Sequence, residues 1–177
     1  MNKPPIDITI TKLEMLARPA SLRTTLPHGH DNGKVMLLKT RRPSVHFYRY
    51  LYETVGKQHS WVERRRMADD RLSAILQDDN VEIYVLYCDG APAGYFELDF
   101  RKQPVAELAY FGLIPDFIGR GLGQFLLSAA IDTAWSRQID RLWVHTNTLD
   151  HPRALPLYQQ LGFTPYAQER TTIVPID

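Results

Sequence analysis

Residues 118–124 read Ile118-Gly119-Arg120-Gly121-Leu122-Gly123-Gln124, between an apolar run and an amphipathic one. Glycines at alternate positions let the backbone turn sharply and bring bare N–H groups close to a ligand. A helix starting there adds unpaired donors and roughly half a positive charge. A pyrophosphate suits such a cradle, and Arg120 adds a cation at its rim. The commoner phosphate signatures fail on this chain. Neither Gly33-Lys34-Val35 nor Gly56-Lys57-Gln58 continues as a P-loop, and a G-x-G-x-x-G pattern begun at Gly121 meets Leu126 in its third place. No serine sits in a G-x-S-x-G elbow. The rival reading of the turn is a tight strand-to-helix connection with no ligand. His28-Gly29-His30-Asp31 offers two imidazoles and a carboxylate, but in a loop without further ligands or supporting groups, so no metal site is expected.

The elements that must position this turn follow from periodicity. Residues 6–16 open with alternation, Ile6, Ile8 and Ile10 on one face and Asp7, Thr9 and Thr11 on the other, which predicts a strand. Prolines and glycines make 17–34 a loop, and Val35 to Leu38 a short strand. Ser44 caps a helix with Phe47, Tyr48, Leu51 and Tyr52 on one side and Gly56 at its end. A second helix follows Asp69 or Asp70, with Leu72, Ile75 and Leu76 inward. Asp89-Gly90 turns a hairpin between two apolar runs. Val105 to Leu113 is a strand stopped by Pro115, and the helix after the glycines runs to about Arg137. Arg141 to Thr146 is a strand, Pro152 begins a short helix, and Gly162 ends it before a last strand. Strand, glycine loop, helix, strand is a βαβ unit with a right-handed parallel crossover. The expected fold is α/β with a mixed sheet, antiparallel N-terminal strands and a central parallel βαβ unit flanked by helices.

Composition narrows the rest. The 177 residues suit one domain, and 44% apolar with 23% charged residues describes a globule. Twenty-one basic against twenty acidic side chains leave a net charge of +1, without the signature of a nucleic-acid or membrane-surface binder. Cys88 is the single cysteine, so no intrachain disulfide forms, and a reducing cytoplasm is the expected home. The first residues lack a signal-peptide core and no apolar stretch is long enough to span a bilayer.

Two motifs then meet in order. The glycine turn matches the Gln/Arg-x-x-Gly-x-Gly/Ala pattern, and His151-Pro-Arg-Ala154-Leu-Pro-Leu-Tyr158-Gln-Gln-Leu-Gly162-Phe163 matches an Asn-x-x-Ala-x-x-x-Tyr-x-x-x-Gly-Phe block. Over residues 80–165 the chain resembles the GNAT superfamily of acetyl-coenzyme A-dependent N-acetyltransferases, and more loosely over the helical region 44–79 before it. Residues 1–43 have no clear counterpart. Ile118 stands where the family carries Gln or Arg, and His151 where it carries Asn.

The resemblance implies acetyl-CoA as cosubstrate, with no metal, and direct acetyl transfer to an amine. It implies a cofactor site from Phe111, Gly112, Leu113, the turn residues Ile118 to Gln124, His151 and Tyr158, with the Leu113 N–H facing the thioester oxygen. Tyr158 takes the place of the phenol beside the cofactor sulfur; its alternative is packing on a helix face. Glu107, eleven residues before Ile118, matches in spacing the glutamate of the histone-acetylating branch. His145, on the next strand, stands where another branch carries a glutamate and titrates near neutrality. A base is needed because an alkyl ammonium of pKa about 10.4 is only about one part in a thousand free amine at pH 7. The resemblance puts the acceptor under the first helices, where Tyr48, Tyr52 and Trp61 offer aromatic faces to a cation. Glu53 and Glu63 are equally available to pair with it. The expected acceptor is a small-molecule primary amine and the expected assembly, if any, a homodimer. The rivals are a protein N-terminal or lysine acetyltransferase and a non-catalytic acyl-CoA-binding regulatory module.

Overall fold

A computed structural model of the chain describes residues 4–27 and 34–176; His28, Gly29, His30 and Asp31 lie outside the described residues. Seven strands form one sheet in the order β2-β3-β4-β5-β6-β1-β7. They are β1 (Ile6–Met15), β2 (Val35–Thr40), β3 (Val81–Cys88), β4 (Ala91–Lys102), β5 (Val105–Leu113), β6 (Arg141–Asn147) and β7 (Thr164–Ile173). Every pairing is antiparallel except β5 with β6, as the βαβ pattern requires. The Asp89-Gly90 turn has positive φ at both residues, the geometry that a two-residue hairpin turn needs.

The helices divide between the two faces. Helices α1 (Val45–Gly56), α2 (Glu63–Arg66) and α3 (Asp69–Leu76) cover one face, and α4 (Leu122–Trp135) and α5 (Ala154–Gln160) the other. Ser44 caps α1, its side chain accepting from the Phe47 N–H at 3.2 Å. Helix α2 is a single turn of four residues, too short for any periodicity to announce. Helix α5 starts at Ala154, two residues after Pro152.

Strand β1 departs from its expected alternation. Ile8 is buried, but farther along the buried positions are Thr11, Leu13 and Met15, and the register against β7 shifts between Lys12 and Leu13. The strand is inserted between β6 and β7, so its second half buries Leu13 and Met15 in the core on the α4 side while Lys12 and Glu14 face out to Glu169 and Arg141.

The segment after β1 ties the two glycine turns together. Pro19 packs on Gly162 and Pro27 on Gly121, where an added Cβ would lie 2.8 and 2.9 Å from the respective rings. Arg18 Nε donates to Asp132 of α4 at 2.8 Å, and the Thr24 hydroxyl donates to the other oxygen of that carboxylate.

Between α1, α2 and the sheet lies a buried polar knot. Glu97 of β4 has no exposed surface; it accepts from the Tyr48 hydroxyl and from Arg64 at 2.6 Å. Burial pushes the Glu97 carboxyl up, against the opposing pull of Arg64 and Tyr48. Glu97→Ala leaves the Arg64 guanidinium buried and unpaired, and chemical denaturation is expected to show a loss of about 3–5 kcal/mol. A loss below about 1 kcal/mol refutes the knot as an anchor of α2.

Candidate functional site

Among the described residues the only parallel ladder is short. Val105, Ala106 and Glu107 pair with Arg141, Leu142 and Trp143, and then β5 and β6 part. Beyond that point both strands leave backbone groups without a partner strand, and a cleft of about 510 Å³ opens between them, a size suited to a small-molecule ligand. Ile114 N–H donates to the Ala93 carbonyl at 2.8 Å, toward β4. Strand alternation then turns the N–H groups of Leu113 and Phe111 the other way, into the cleft.

The glycine turn closes one end. Gly119 and Gly121 both adopt left-handed φ, 85° and 78°, and a Cβ at Gly119 would meet nothing within 4 Å. That leaves an open concavity of backbone donors at the start of the fourteen-residue helix α4. Gly119, Gly121, Gly123, Gln124 and Ile118 line the cleft, with Phe111, Gly112, Leu113, His151 and Tyr158. Two of the expected residues turn their side chains elsewhere. The Leu122 side chain is fully buried in the core as the first inward residue of α4. Arg120 places its guanidinium over the Phe117 ring at 4.9 Å, outside the residues that line the cleft.

Tyr158 of α5 lines the cleft, its ring edge-on to Phe111 of β5 and to Phe163. It is 5% exposed, and burial, with the Asp150 carboxylate adding, raises its pKa far above the ordinary phenol value. The side chain is therefore a phenol, able to donate a proton.

A bulge sets the other end. Glu97 pairs with Tyr110, and Leu98 with Leu108, so Ala109 is the extra residue on β5. Simple alternation would put Glu107 and Tyr110 on opposite faces; the bulge puts them on the same one, toward α1 and α2. Glu107 is itself outside the residues that line the cleft and stands behind His145, which does line it, with its carboxylate 3.8 Å from His145 Nδ1. Burial, followed by the nearby Asp99, Glu97 and Glu63 carboxylates, raises the Glu107 pKa to about 7.

Aromatic rings wall this end. Tyr52, Trp61 and Tyr110 contact one another with centroids 5.0 to 5.3 Å apart. Trp61 lies on the bare Cα of Gly56, where a Cβ would sit 2.4 Å from the indole, so the glycine that ends α1 also admits this ring. The indole N–H donates to Asp150 at 3.1 Å. Tyr48 is not part of the wall: it is fully buried on Glu97, one helical turn of α1 behind Tyr52.

Sequence reasoning missed Tyr110, Asp150 and Arg153 as lining residues. Tyr110 depends on the bulge, which no residue type at 109 announces. Asp150 had a readable signal. It accepts from the Thr146 hydroxyl at 2.8 Å and the Asn147 N–H at 2.9 Å, a local turn foreshadowed by the polar run Thr146 to Asp150. Among the described residues no group of three His, Cys, Asp or Glu side chains is placed to hold a metal ion, and no helix is long and apolar enough to cross a membrane.

Comparison with known proteins agrees with this geometry. The sequence profile described as the acetyltransferase (GNAT) family matches residues 48–163. An uncharacterized N-acetyltransferase of Methanocaldococcus jannaschii is 32% identical over 116 residues, 61% of this chain and 50% of the relative. A mycothiol acetyltransferase of Beutenbergia cavernae is 26% identical over 161 residues, 82% of this chain and 54% of the relative. The chain thus spans about half the length of these curated relatives. An aminoglycoside N-acetyltransferase solved in complex with CoA superposes with a TM-score of 0.55 at 20% identity, over 79% of this chain and 92% of that one, a likeness of fold.

The raised Glu107 pKa carries a stability cost with a definite sign. The folded state holds this proton more tightly than the unfolded chain, so stability falls as pH rises from about 4.5 to about 7 and stays reduced above. Glu107→Gln is expected to stabilise the protein at pH 8 by about 2–3 kcal/mol and to change little at pH 4. Equal effects at the two pH values, read by thermal or chemical unfolding, would remove the perturbed carboxyl from the site.

Proposed function

Because the chain belongs to the acetyltransferase (GNAT) family, we propose that it transfers acetyl from acetyl-CoA to the primary amine of a small molecule in a ternary complex. The parting of β5 from β6 after Glu107, with the glycine turn at one end of the cleft and His145, backed by Glu107, at the other, carries this reading.

The residues present fit acetyl-CoA. The N–H groups around Gly119 and Gly121 would take the pyrophosphate, with Arg153 the one arginine or lysine among the described residues lining the cleft. The unpaired edge of β5 would pair with pantetheine amides. When bound, the thioester supplies an activated acyl carbon. Leu113 N–H, aimed into the cleft, stabilises negative charge on its oxygen. Glu107, ionised in about half of the molecules near pH 7, accepts the ammonium proton through water or through His145, the cleft-lining imidazole 3.8 Å from it. The amine lone pair forms the carbon–nitrogen bond as the carbon–sulfur bond breaks, and the nitrogen releases its second proton to solvent. The departing sulfur takes the phenolic proton of Tyr158, which solvent replaces. The close aromatic wall favours a compact acceptor over a protein surface.

Three outcomes test this. Acetyl-CoA at a hundred times its Kd is expected to stabilise the protein by about 2.7 kcal/mol; no stabilisation by any CoA thioester refutes the assignment. Tyr158→Phe is expected to lower kcat by about 10²- to 10⁴-fold with acetyl-CoA affinity nearly unchanged, and an unaltered kcat removes the acid. In the wild type, kcat/KM rises with pH through about 7 because the base must be ionised. Glu107→Gln loses that limb; if His145→Ala loses it instead, the base is the imidazole.

A further inference from the structure

We propose that Glu63 is a specificity-determining residue that holds a second cationic group of the acceptor, so that the preferred substrate is a diamine or related dication. This rests on the acetyltransferase reading of the same cleft.

Glu63 and Glu53 are indistinguishable in sequence, and the fold separates them. Glu53 is outside the cleft lining and lies 3.6 Å from Arg65. Glu63 lines the cleft at the start of α2 and accepts the Tyr110 hydroxyl at 2.6 Å, beside the Tyr52, Trp61 and Tyr110 rings. Among the described residues it is in no ion pair. The neighbouring cations are committed elsewhere: Arg64 turns inward to Glu97, its guanidinium 5.2 Å from the Tyr110 ring centroid, and Arg66 donates to the Val174 carbonyl. Asp150, the other carboxylate on this wall, already accepts three hydrogen bonds. Glu63 thus keeps an anionic oxygen for a ligand, next to aromatic faces that attract the same charge.

Position fits the task. Tyr110 lies three residues before Leu113, roughly 10 Å along β5, so the Glu63–Tyr110 pair stands away from the reacting centre by about the length of a short alkyl chain. One ammonium at Glu63 would leave the other free to reach the thioester beside Leu113, its proton passing through water to the His145–Glu107 pair.

Free-thiol release from acetyl-CoA is measured with α,ω-diaminoalkanes from propane to octane and with n-alkylamines of matched length. The wild type is expected to favour one diamine over its matched monoamine by about ten- to a hundred-fold in kcat/KM, mainly through KM, the worth of a charge-assisted hydrogen bond. In Glu63→Gln, which still accepts the Tyr110 hydroxyl, that ratio is expected to collapse to about the statistical factor of two reactive amines. Glu53→Gln keeps the wild-type ratio. Thiol release that does not discriminate diamine from monoamine, or a ratio untouched in Glu63→Gln, overturns the proposal and leaves the acetyltransferase reading standing. So does a Glu63→Gln enzyme slowed equally on both acceptors, the mark of a merely structural carboxylate. Absence of thiol release with every amine, together with no stabilisation by acetyl-CoA, overturns the acetyltransferase reading and this inference with it.

Discussion

Unpaired backbone is the constraint on which the rest of this molecule depends. A strand in the middle of a sheet normally satisfies its polar groups on both edges, and leaving them bare in an apolar interior is costly. Here two central parallel strands separate after three paired residues. The separation persists because each strand is held from its other side, β5 by β4 and β6 by β1. The N-terminal strand therefore has a role in the site although none of its residues lines the cleft: it braces β6 in the splayed position. The strap that follows it does the same for the two glycine turns, packing a proline on each.

The two ends of the cleft are supported by different physics. At the glycine end the donors are backbone groups fixed by left-handed φ and by the start of a helix, so side-chain identity matters little there; Ile118 in place of a polar residue leaves the cradle intact. At the acceptor end the geometry comes from side chains locked in a core. The Glu97–Arg64–Tyr48 knot pins α2 and α1 to β4, which places Glu63 and Trp61 at the cleft wall. The same buried charge contributes to raising the Glu107 pKa. The knot thus links the anchoring of the helices to the proton affinity of the proposed base, and part of the cost of that buried carboxylate is offset by what it does for the site.

Most of the elements were legible because their signals are local. Alternation marked the strands, Ser44 and Gly56 bounded α1, Asp89-Gly90 turned the hairpin, and the three spaced glycines before an apolar stripe announced the cradle. Three features were not. Helix α2 is a single turn, too short to repeat a pattern. The half-turn of phase along β1 comes from its insertion between β6 and β7. Tyr48 and Tyr52, one helical turn apart, look equivalent as aromatic candidates, and only the packing of α1 against the sheet sends the first into the core and the second to the cleft.

The sequence by itself determined the family, the α/β order of elements and the glycine-rich turn that opens α4, since each is written in residue types at fixed spacing. Tertiary structure decided which of those residues meet. The bulge at Ala109 brings Glu107 and Tyr110 to one face, the parting strands make the cleft, and the inward turn of Arg64 leaves Glu63 facing it. These depend on contacts between residues far apart in the chain. Whether a bulge forms, and which of several arginines finds the buried carboxylate, is settled by the packing of the whole sheet and not by any local preference of the backbone.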